Sequence, residues 1–326
     1  MSRTKGLSRF LGVALLALGL SACGLSACGL ASPGILGGGS NDLSALANLP
    51  PAGKFTVATY NVENLFDGSN TPLGPSNPAK SDESKQHLAE SIRALNADVL
   101  GLVEVESRAT LRHFRDDYLK DMGYQYIALQ EGNDMRGIDV AVLSRFPITH
   151  LKSHRNAVFG VPGASAPGKL SRDLLQAKIA VGKGYSFTLF VTHLKARPGE
   201  PASDAKRKAE AQFIRRTLRD FETEHPNANY ALVGDFNDRP NSETLKVFLE
   251  GRARDPLLFD ALSELGTGAY SYHPIKYRGR IDYILLSEGI RKEYIPNSAR
   301  ILNIPAALMA SDHLPGSIVI DGSLDR

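Results

Sequence analysis

Cysteine is nearly absent from this chain. It occurs twice, at Cys23 and Cys28, and never again. Everything after residue 28 therefore lacks an internal disulfide and a cysteine-held metal. A basic surplus is lacking as well. The formal charge is +3, from 38 basic and 35 acidic residues. Arg3, Lys5 and Arg9 account for that surplus, because the first 22 residues hold no acid. The rest is neutral, so charge alone does not indicate a nucleic-acid-binding module. There is no apolar run of the ~20 residues that a membrane span needs. No long internal repeat is visible. What is present is ordinary globular material: 42% apolar and 22% charged residues over 326 positions, which excludes a mostly disordered or fibrous chain.

Residues 1–22 read as an export signal. Arg3, Lys5 and Arg9 form a positive start and Phe10–Leu20 a short apolar core. Leu20-Ser21-Ala22-Cys23 follows. It resembles the lipobox of bacterial lipoproteins, where cleavage precedes the Cys and its thiol is acylated. The pattern recurs as Leu25-Ser26-Ala27-Cys28, but Cys23 abuts the apolar core and is the expected lipidation site. Residues 23–53 are rich in Gly, Ser, Ala and Pro and read as a flexible tether, with one or two helical turns expected within 40–49. The expected address is the cell envelope: an exported lipoprotein on the outer membrane or facing the periplasm, with plain secretion as the alternative.

Residues 54–321 read as one α/β domain, followed by a short tail at 322–326. Phe55–Asn61 alternates apolar and polar with period two, as a strand does. Ser81 caps a helix with Asp82 and Glu83 in its first turn and Leu88, Ile92 and Leu95 facing inward. Val99–Val103 is a short apolar run, hence a buried strand. A helix is predicted at Ala109–Lys120, with strands at Tyr124–Leu129 and Asp139–Ser144. Residues 154–172 show little periodicity and read as a long loop. Leu175–Val181 and Tyr185–Thr192 form a hairpin, and Ser203–Glu224 a long amphipathic helix. Tyr230–Val233, Ile281–Leu286, Ala299–Leu302 and Ser317–Ile320 are the late strands.

Polar residues stand where these buried strands end: Asn61, Glu104, His193, Asp235 with Asn237, and Asp312-His313. Asp282 lies inside a strand and needs a partner, because a buried carboxylate costs several kcal/mol when unpaired. Arg280 is one candidate and a histidine another. Oxygen donors without cysteine suit a hard cation, Mg²⁺ foremost, with Mn²⁺ or Ca²⁺ as alternatives. Histidines nearby supply acid–base chemistry near neutral pH. Together these residues point to metal-assisted hydrolysis of phosphate esters.

Six segments also occur in the order of a known superfamily. They are Tyr60-Asn61-Val62-Glu63-Asn64-Leu65-Phe66-Asp67, Leu102-Val103-Glu104-Val105, Thr192-His193-Leu194, Gly234-Asp235-Phe236-Asn237, Ile281-Asp282-Tyr283 and Ser311-Asp312-His313. The chain resembles the endonuclease/exonuclease/phosphatase superfamily, in particular predicted secreted nucleases carrying NVENLFD. The resemblance implies an α+β fold, a four-layer αββα sandwich of two mainly antiparallel sheets with helices outside. It implies Glu104 as the principal metal carboxylate, with Asn61, Asp312 and Glu63 beside it. Glu106 is the ligand if the register is off by two. Asp235 and Asn237 would orient the water and bind the phosphate. His313 would deprotonate water or stabilise the phosphorane, with Asp282 holding its ring, and His193 would protonate the leaving oxygen. The Asn237-Asp238-Arg239 segment differs from the Asn-Tyr-Arg usual in polyphosphoinositide phosphatases.

Arg136, Arg172 and His273 are candidate substrate contacts. Lys206-Arg207-Lys208, Arg215-Arg216 and Lys276/Arg278/Arg280 are candidate phosphate-backbone contacts, against the plainer reading of solvated charge. The remaining histidines read as surface residues. The expected partners are a nucleic acid or other phosphodiester and a membrane reached through the lipid anchor. No obligate protein partner is indicated, and a monomer is expected. A lipid-headgroup phosphodiesterase and a catalytically silent binding module are the competing readings.

Overall fold

The computed structural model describes residue 46 and residues 48–68, 77–250 and 257–325. The signal, Cys23 and the tether apart from residues 46 and 48–53 lie outside the described residues, as do most of the positions 40–49 where helical turns are expected. Among the described residues no helix is long and apolar enough to cross a membrane.

The strands are β1 (Lys54–Leu65), β2 (Val99–Val105), β3 (Tyr126–Leu129), β4 (Asp139–Ser144), β5 (Ile148–Ser153), β6 (Leu174–Gly182), β7 (Tyr185–His193), β8 (Tyr230–Asp235), β9 (Phe259–Asp260), β10 (Asp282–Leu286), β11 (Arg300–Ile301) and β12 (Gly316–Asp321). The helices are α1 (Asp82–Leu95), α2 (Arg108–Tyr118), α3 (Ala202–Glu224), α4 (Glu243–Leu249), α5 (Glu288–Arg291) and α6 (Pro305–Ala310). One six-stranded sheet runs β11-β12-β1-β2-β4-β3 and the other β5-β6-β7-β8-β10-β9. Both are mainly antiparallel, with one central parallel pair each, β1 with β2 and β7 with β8.

Period-two alternation sorts the side chains into layers. Phe55, Val57, Val99, Leu189, Val191, Ala231, Val233, Ile284 and Ile318 meet between the sheets. Ala58, Tyr60, Leu100 and Leu102 face outward onto α1 and α2 residues such as Leu88, Ile92 and Phe114. Phe190, Leu232 and Tyr283 face outward onto Ile214, Leu218 and Phe248 of α3 and α4. The result is the expected αββα sandwich. Each fully buried Val or Leu contributes about 1.5–3 kcal/mol. The sheets approach closely at Gly101, where a Cβ would stand 2.6 Å from Val233 Cγ2.

The predicted elements recur with shifts of a few residues. Ser81 caps α1 by accepting from Ser84 N at 3.1 Å, and Asn96 closes it in the left-handed conformation. β5 and α4 go beyond the predicted elements. β5, behind Pro147, buries only Ile148 and then alternates half-buried and exposed positions, and α4 is only seven residues long, capped by Ser242. Among the histidines read as surface, His87 and His154 are half-buried. His154 Nε2 lies 3.3 Å from Gln176 Oε1, and burial lowers its pKa.

Asp139, at the start of β4, accepts from Gly132 N at 2.6 Å. Burial and then neighbouring acids push its pKa up to about 7 against the one N–H. The folded state thus holds this proton up to a higher pH than the unfolded chain, whose Asp titrates near ~3.9. Stability falls as pH rises through that window, by about 1.4 kcal/mol per unit. Asp139→Asn keeps an acceptor and removes the titration. Its melting temperature relative to wild type is expected to rise between pH 5 and pH 8; a flat difference would contradict this.

Candidate active site

The alternation that builds the core also builds the site. Continuing the inner-facing series Phe55, Val57 and Thr59 along β1 reaches Asn61. On β7 the series Leu189, Val191 reaches His193, and on β8 Ala231, Val233 reaches Asp235. On β10 the series Leu286, Ile284 reaches Asp282. All four are buried, between 1% and 3% exposed, at one end of the inter-sheet space. In register, Asp235 pairs with His193 on one side and Asp282 on the other. Two carboxylates side by side repel unless a cation intervenes.

His313 supplies that charge. Its Nδ1 lies 2.7 Å from Asp282 Oδ2 and its Nε2 3.7 Å from Asp235 Oδ2. Arg280, the other candidate partner of Asp282, instead pairs with Asp260 through two bonds of 3.0 and 2.6 Å. Ser271 Oγ accepts from the Ile281 and Asp282 N–H groups, each at 3.0 Å. The ring stands edge-on to Tyr272, with centroids 5.0 Å apart. Ser311 Oγ donates to Asn61 O at 2.7 Å and accepts from His313 N at 3.0 Å, tying the loop before β12 to β1.

Glu104 reaches the cleft by breaking the alternation. Val103 faces the inner core and Val105 the outer, so the residue between them absorbs a register shift. Glu104 does so at φ +68°. Among the described residues, the positive-φ residues other than glycine and asparagine are Glu63 and Glu104, both lining the same cleft. Such strain costs about 1–3 kcal/mol per residue. It aims Glu104 so that Oε1 accepts from Asn61 Nδ2 at 3.3 Å and Oε2 from Asn64 N at 3.2 Å. The same bulge sends Glu106 elsewhere: its Oε2 accepts from Asp67 N at 2.7 Å and Thr110 Oγ1 at 3.1 Å. Glu104 lines the cleft and Glu106 does not, so the register is the expected one and not the alternative shifted by two.

Asn61 bridges the acids. Its Nδ2 also donates to Asp235 Oδ2 at 3.1 Å, while its Oδ1 accepts from Glu63 N at 3.0 Å. Glu63 Oε2 accepts from Asp312 N at 2.9 Å. Asn237, at φ +52°, donates from N to Asp235 Oδ1 at 2.7 Å and from Nδ2 to Leu194 O at 3.1 Å. Gly234 is required before Asp235, since a Cβ there would stand 1.8 Å from Thr192 O.

The cleft is about 750 Å³. Four acids, Glu63, Glu104, Asp235 and Asp312, and four arginines, Arg136, Arg172, Arg197 and Arg239, line it. Arg172 is buried, donates to Leu194 O at 3.1 Å and pairs with Asp134 at 2.9 Å; Arg136 pairs with the same Asp134 at 3.4 Å. His273 does not line the cleft. Its Nε2 lies 2.8 Å from Ser311 O, so it braces the loop carrying Asp312. Of the basic clusters, Arg207, Arg215 and Arg280 are buried and do not present a face to a phosphate backbone.

Sequence reasoning missed Lys80, Arg197, Arg239, Tyr272 and Tyr277. Lys80 Nζ donates to Glu63 O at 2.9 Å. Tyr272 and Tyr277 line the cleft. All stand outside the strands and α-helices, Tyr277 at the end of a single 3₁₀ turn, Ile275–Tyr277, where no periodicity marks them.

The charges set the protonation states. Burial lowers the His313 pKa, but Asp282 and then Asp235 outweigh it and hold the ring well above the ordinary imidazole range. Burial, reinforced by Arg172, lowers the His193 pKa well below that range. Its Nε2 lies 3.5 Å from Asp235 Oδ2, and its Nδ1 is buried without a partner. Burial and Asp282 raise the Asp235 pKa, and burial pushes Asp312 up to about 6. The protein's own charges thus favour imidazolium at His313 and neutral imidazole at His193, the reverse of a base at His313 and an acid at His193.

The donor set fits a hard divalent cation. Asp235, Asp282 and His313 offer ligand atoms within 4.8 Å of one another. His313 Nδ1 is engaged by Asp282, whereas each carboxylate oxygen of Glu63, Glu104, Asp235 and Asp312 in the cleft keeps a further lone pair for a cation. Asp282 Oδ1 is buried with no partner.

Residues 58–313 match the model of the Endonuclease/Exonuclease/phosphatase family. No curated protein matches in sequence. Among solved structures, a family protein from Bacteroides thetaiotaomicron is similar at TM-score 0.57 and 18% identity, covering 84% of this chain and 96% of that one. The human Nocturnin catalytic domain, with bound sulfate anion, is similar at TM-score 0.54 and 20% identity, covering 82% and 94%. TDP2 of D. rerio, complexed with a single-strand DNA product, is similar at TM-score 0.51 and 18% identity, covering 82% and 98%. With the family model spanning every strand-end residue from Asn61 to His313, this chain belongs to the endonuclease/exonuclease/phosphatase family of divalent-metal-dependent hydrolases of phosphoester bonds.

Proposed function

We propose that this chain is an extracytoplasmic nuclease that hydrolyses nucleic-acid phosphodiesters by direct attack of water. The observation that carries the reading is Asp235 set between two histidines of opposite charge preference, opposite Glu104 and Asn61. Glu104, with Glu63, Asp312 and the Asn61 amide, would hold Mg²⁺, which when bound supplies charge neutralisation at the scissile phosphate and a more acidic water. Asp235, its pKa raised, accepts the water's proton. Imidazolium at His313 donates from Nε2 to the phosphoryl oxygens as negative charge builds there. His193 donates a hydrogen bond as a neutral ring. Asn237 and Arg172 orient the phosphate.

Nucleic acid is favoured by the four arginines and by Tyr272 and Tyr277, which offer ring faces for bases. The structure of TDP2 with a single-strand DNA product supports the same choice by analogy of fold. A lipid phosphodiester is the second reading. It is favoured by Met135 and Ile275, 85% and 88% exposed, in the segments that bring Arg136 and Tyr277 to the cleft. The test is a panel of plasmid DNA, RNA, sphingomyelin, phosphoinositides and a chromogenic phosphodiester, each with Mg²⁺, Mn²⁺ or Ca²⁺. Hydrolysis of DNA or RNA is expected. Turnover of lipid alone would transfer the assignment, and no turnover of any substrate would leave a binding module.

The proposed address is the outer membrane or its periplasmic face, through acylated Cys23. Cys23→Ser is expected to shift the protein from the membrane to the soluble fraction, while Cys28→Ser leaves it membrane-bound. Fractionation and labelling with a palmitate analogue read this out. The reverse dependence would place the anchor on Cys28, and no label on either would mean simple secretion.

A further inference from the structure

Arg207 and Glu210 lie outside the catalytic set, yet both side chains are fully buried. They stand three residues apart on α3 and so share one face. Glu210 Oε2 accepts from Lys195 N at 2.7 Å, and Arg207 Nη1 donates to Lys195 O at 3.1 Å. Both backbone polar groups of one residue are therefore held by opposite buried charges on the same helix. Glu210 Oε1 also accepts from Ser171 N at 2.8 Å and Ser171 Oγ at 2.7 Å. Arg207 further engages Asp204 Oδ1 at 2.8 Å, Glu200 Oε1 at 3.2 Å and Asp238 Oδ2 at 3.3 Å.

The segments gripped are those that deliver the cleft. Lys195 lies two residues beyond His193. Ser171 immediately precedes Arg172. Leu194, between the gripped residue and His193, offers its carbonyl to both Arg172 and Asn237, at 3.1 Å each. A buried carboxylate without a close arginine is costly; the cation nearest to Glu210 is Lys206 Nζ at 3.7 Å. Hydrophobic residues at these positions would cover the sheet at lower cost. What the charges add is direction: the two peptide units on either side of the Lys195 Cα are each held, the first by its N–H and the second by its C=O.

We propose that Arg207 and Glu210 are positioning residues, a clamp on Lys195 that sets where His193 stands in the cleft. This rests on the catalytic reading above. Glu210→Gln is the sharpest probe, because its amide places a donor against either Lys195 N–H or Ser171 N–H while keeping size and burial. With Mg²⁺ and bis(4-nitrophenyl) phosphate, Glu210→Gln in the full chain is expected to lower kcat about 10–10²-fold with KM little changed. Made on top of His193→Ala, it should cost less than about 2-fold more, since the group being positioned is already gone. An equal loss in both backgrounds overturns the proposal and leaves the catalytic reading standing. If His193→Ala itself retains full activity, or wild type has none, the catalytic reading fails. The clamp is then decided by amide exchange: faster exchange at Lys195 in Glu210→Gln upholds it, and unchanged exchange overturns it. Should Glu210→Gln not fold, Arg207→Lys replaces it: a loss confined to the His193 background upholds the clamp, and an equal loss in both backgrounds overturns it.

Discussion

His313→Ala is expected to lower phosphodiester hydrolysis by about 10²–10⁴-fold, the usual worth of a positioned acid or base, without unfolding the protein. The ring is buried, but its loop is independently tied to β1 by Ser311 Oγ and braced by His273. The direction of the pH dependence tells which form works. Asp282 and Asp235 hold the His313 pKa above the ordinary range. If imidazolium is the working form, activity is present below that pKa and is lost as pH rises through it. Asp282→Asn removes the stronger carboxylate, lowers the His313 pKa and brings the loss to lower pH. If the neutral ring were the base, activity would be lost as pH falls through the same pKa, and Asp282→Asn would carry that acid limb downward. Opposite limbs move in the two cases, so one pair of pH–rate profiles decides. An unchanged profile in Asp282→Asn would make Asp282 a structural acid, contrary to its 2.7 Å contact with Nδ1.

The part of the site legible in the sequence is the part governed by alternation. Asn61, His193, Asp235 and Asp282 each extend an inner-facing, mainly apolar series. Counting by twos along each strand therefore puts them on one face, and the strand order only has to bring the ends together. Glu104 is legible as a strand-end acid but not in its direction. Strict alternation turns it toward α1 and α2, and it takes a left-handed residue to turn it back. Nothing in Val-Glu-Val announces that bulge. The basic runs mislead for a related reason. Lys206-Arg207-Lys208 looks like a solvated stripe, yet Arg207 is buried because Glu200, Asp204 and Asp238 converge on it, and Asp238 arrives from another strand's end. Lys80, Arg239 and the two cleft tyrosines stand outside the long strands and α-helices, where position is set mainly by tertiary contacts. β5 is hard to see in the sequence because an edge strand with accessible alternate positions carries a weak apolar signal.

Glu104→Ala is expected to abolish productive metal binding and with it turnover. Acidic groups crowd the cleft: Glu63, Glu104, Asp235 and Asp312 line it, with Asp282 buried beside Asp235. Like charges so close disfavour joint ionisation, and burial raises two of them, Asp235 and Asp312. A divalent cation reverses that penalty, so the cluster binds metal most strongly where all its members are ionised. Glu104 is the member whose backbone is strained to aim it inward, and strain of about 1–3 kcal/mol is retained only if the direction matters. Removing its carboxylate takes away a charged donor and frees Asn61 Nδ2 from one of its acceptors. A loss of several kcal/mol of transition-state stabilisation corresponds to roughly 10³-fold or more in rate. Isothermal titration with Mg²⁺ or Mn²⁺ should show no binding in Glu104→Ala and ordinary binding in Glu106→Ala, whose carboxylate serves Asp67 and Thr110 instead. Excess EDTA should silence wild type, and added Mg²⁺ or Mn²⁺ should restore it. Full turnover in EDTA would refute metal dependence, and binding lost in Glu106→Ala but kept in Glu104→Ala would refute the bulge-directed geometry.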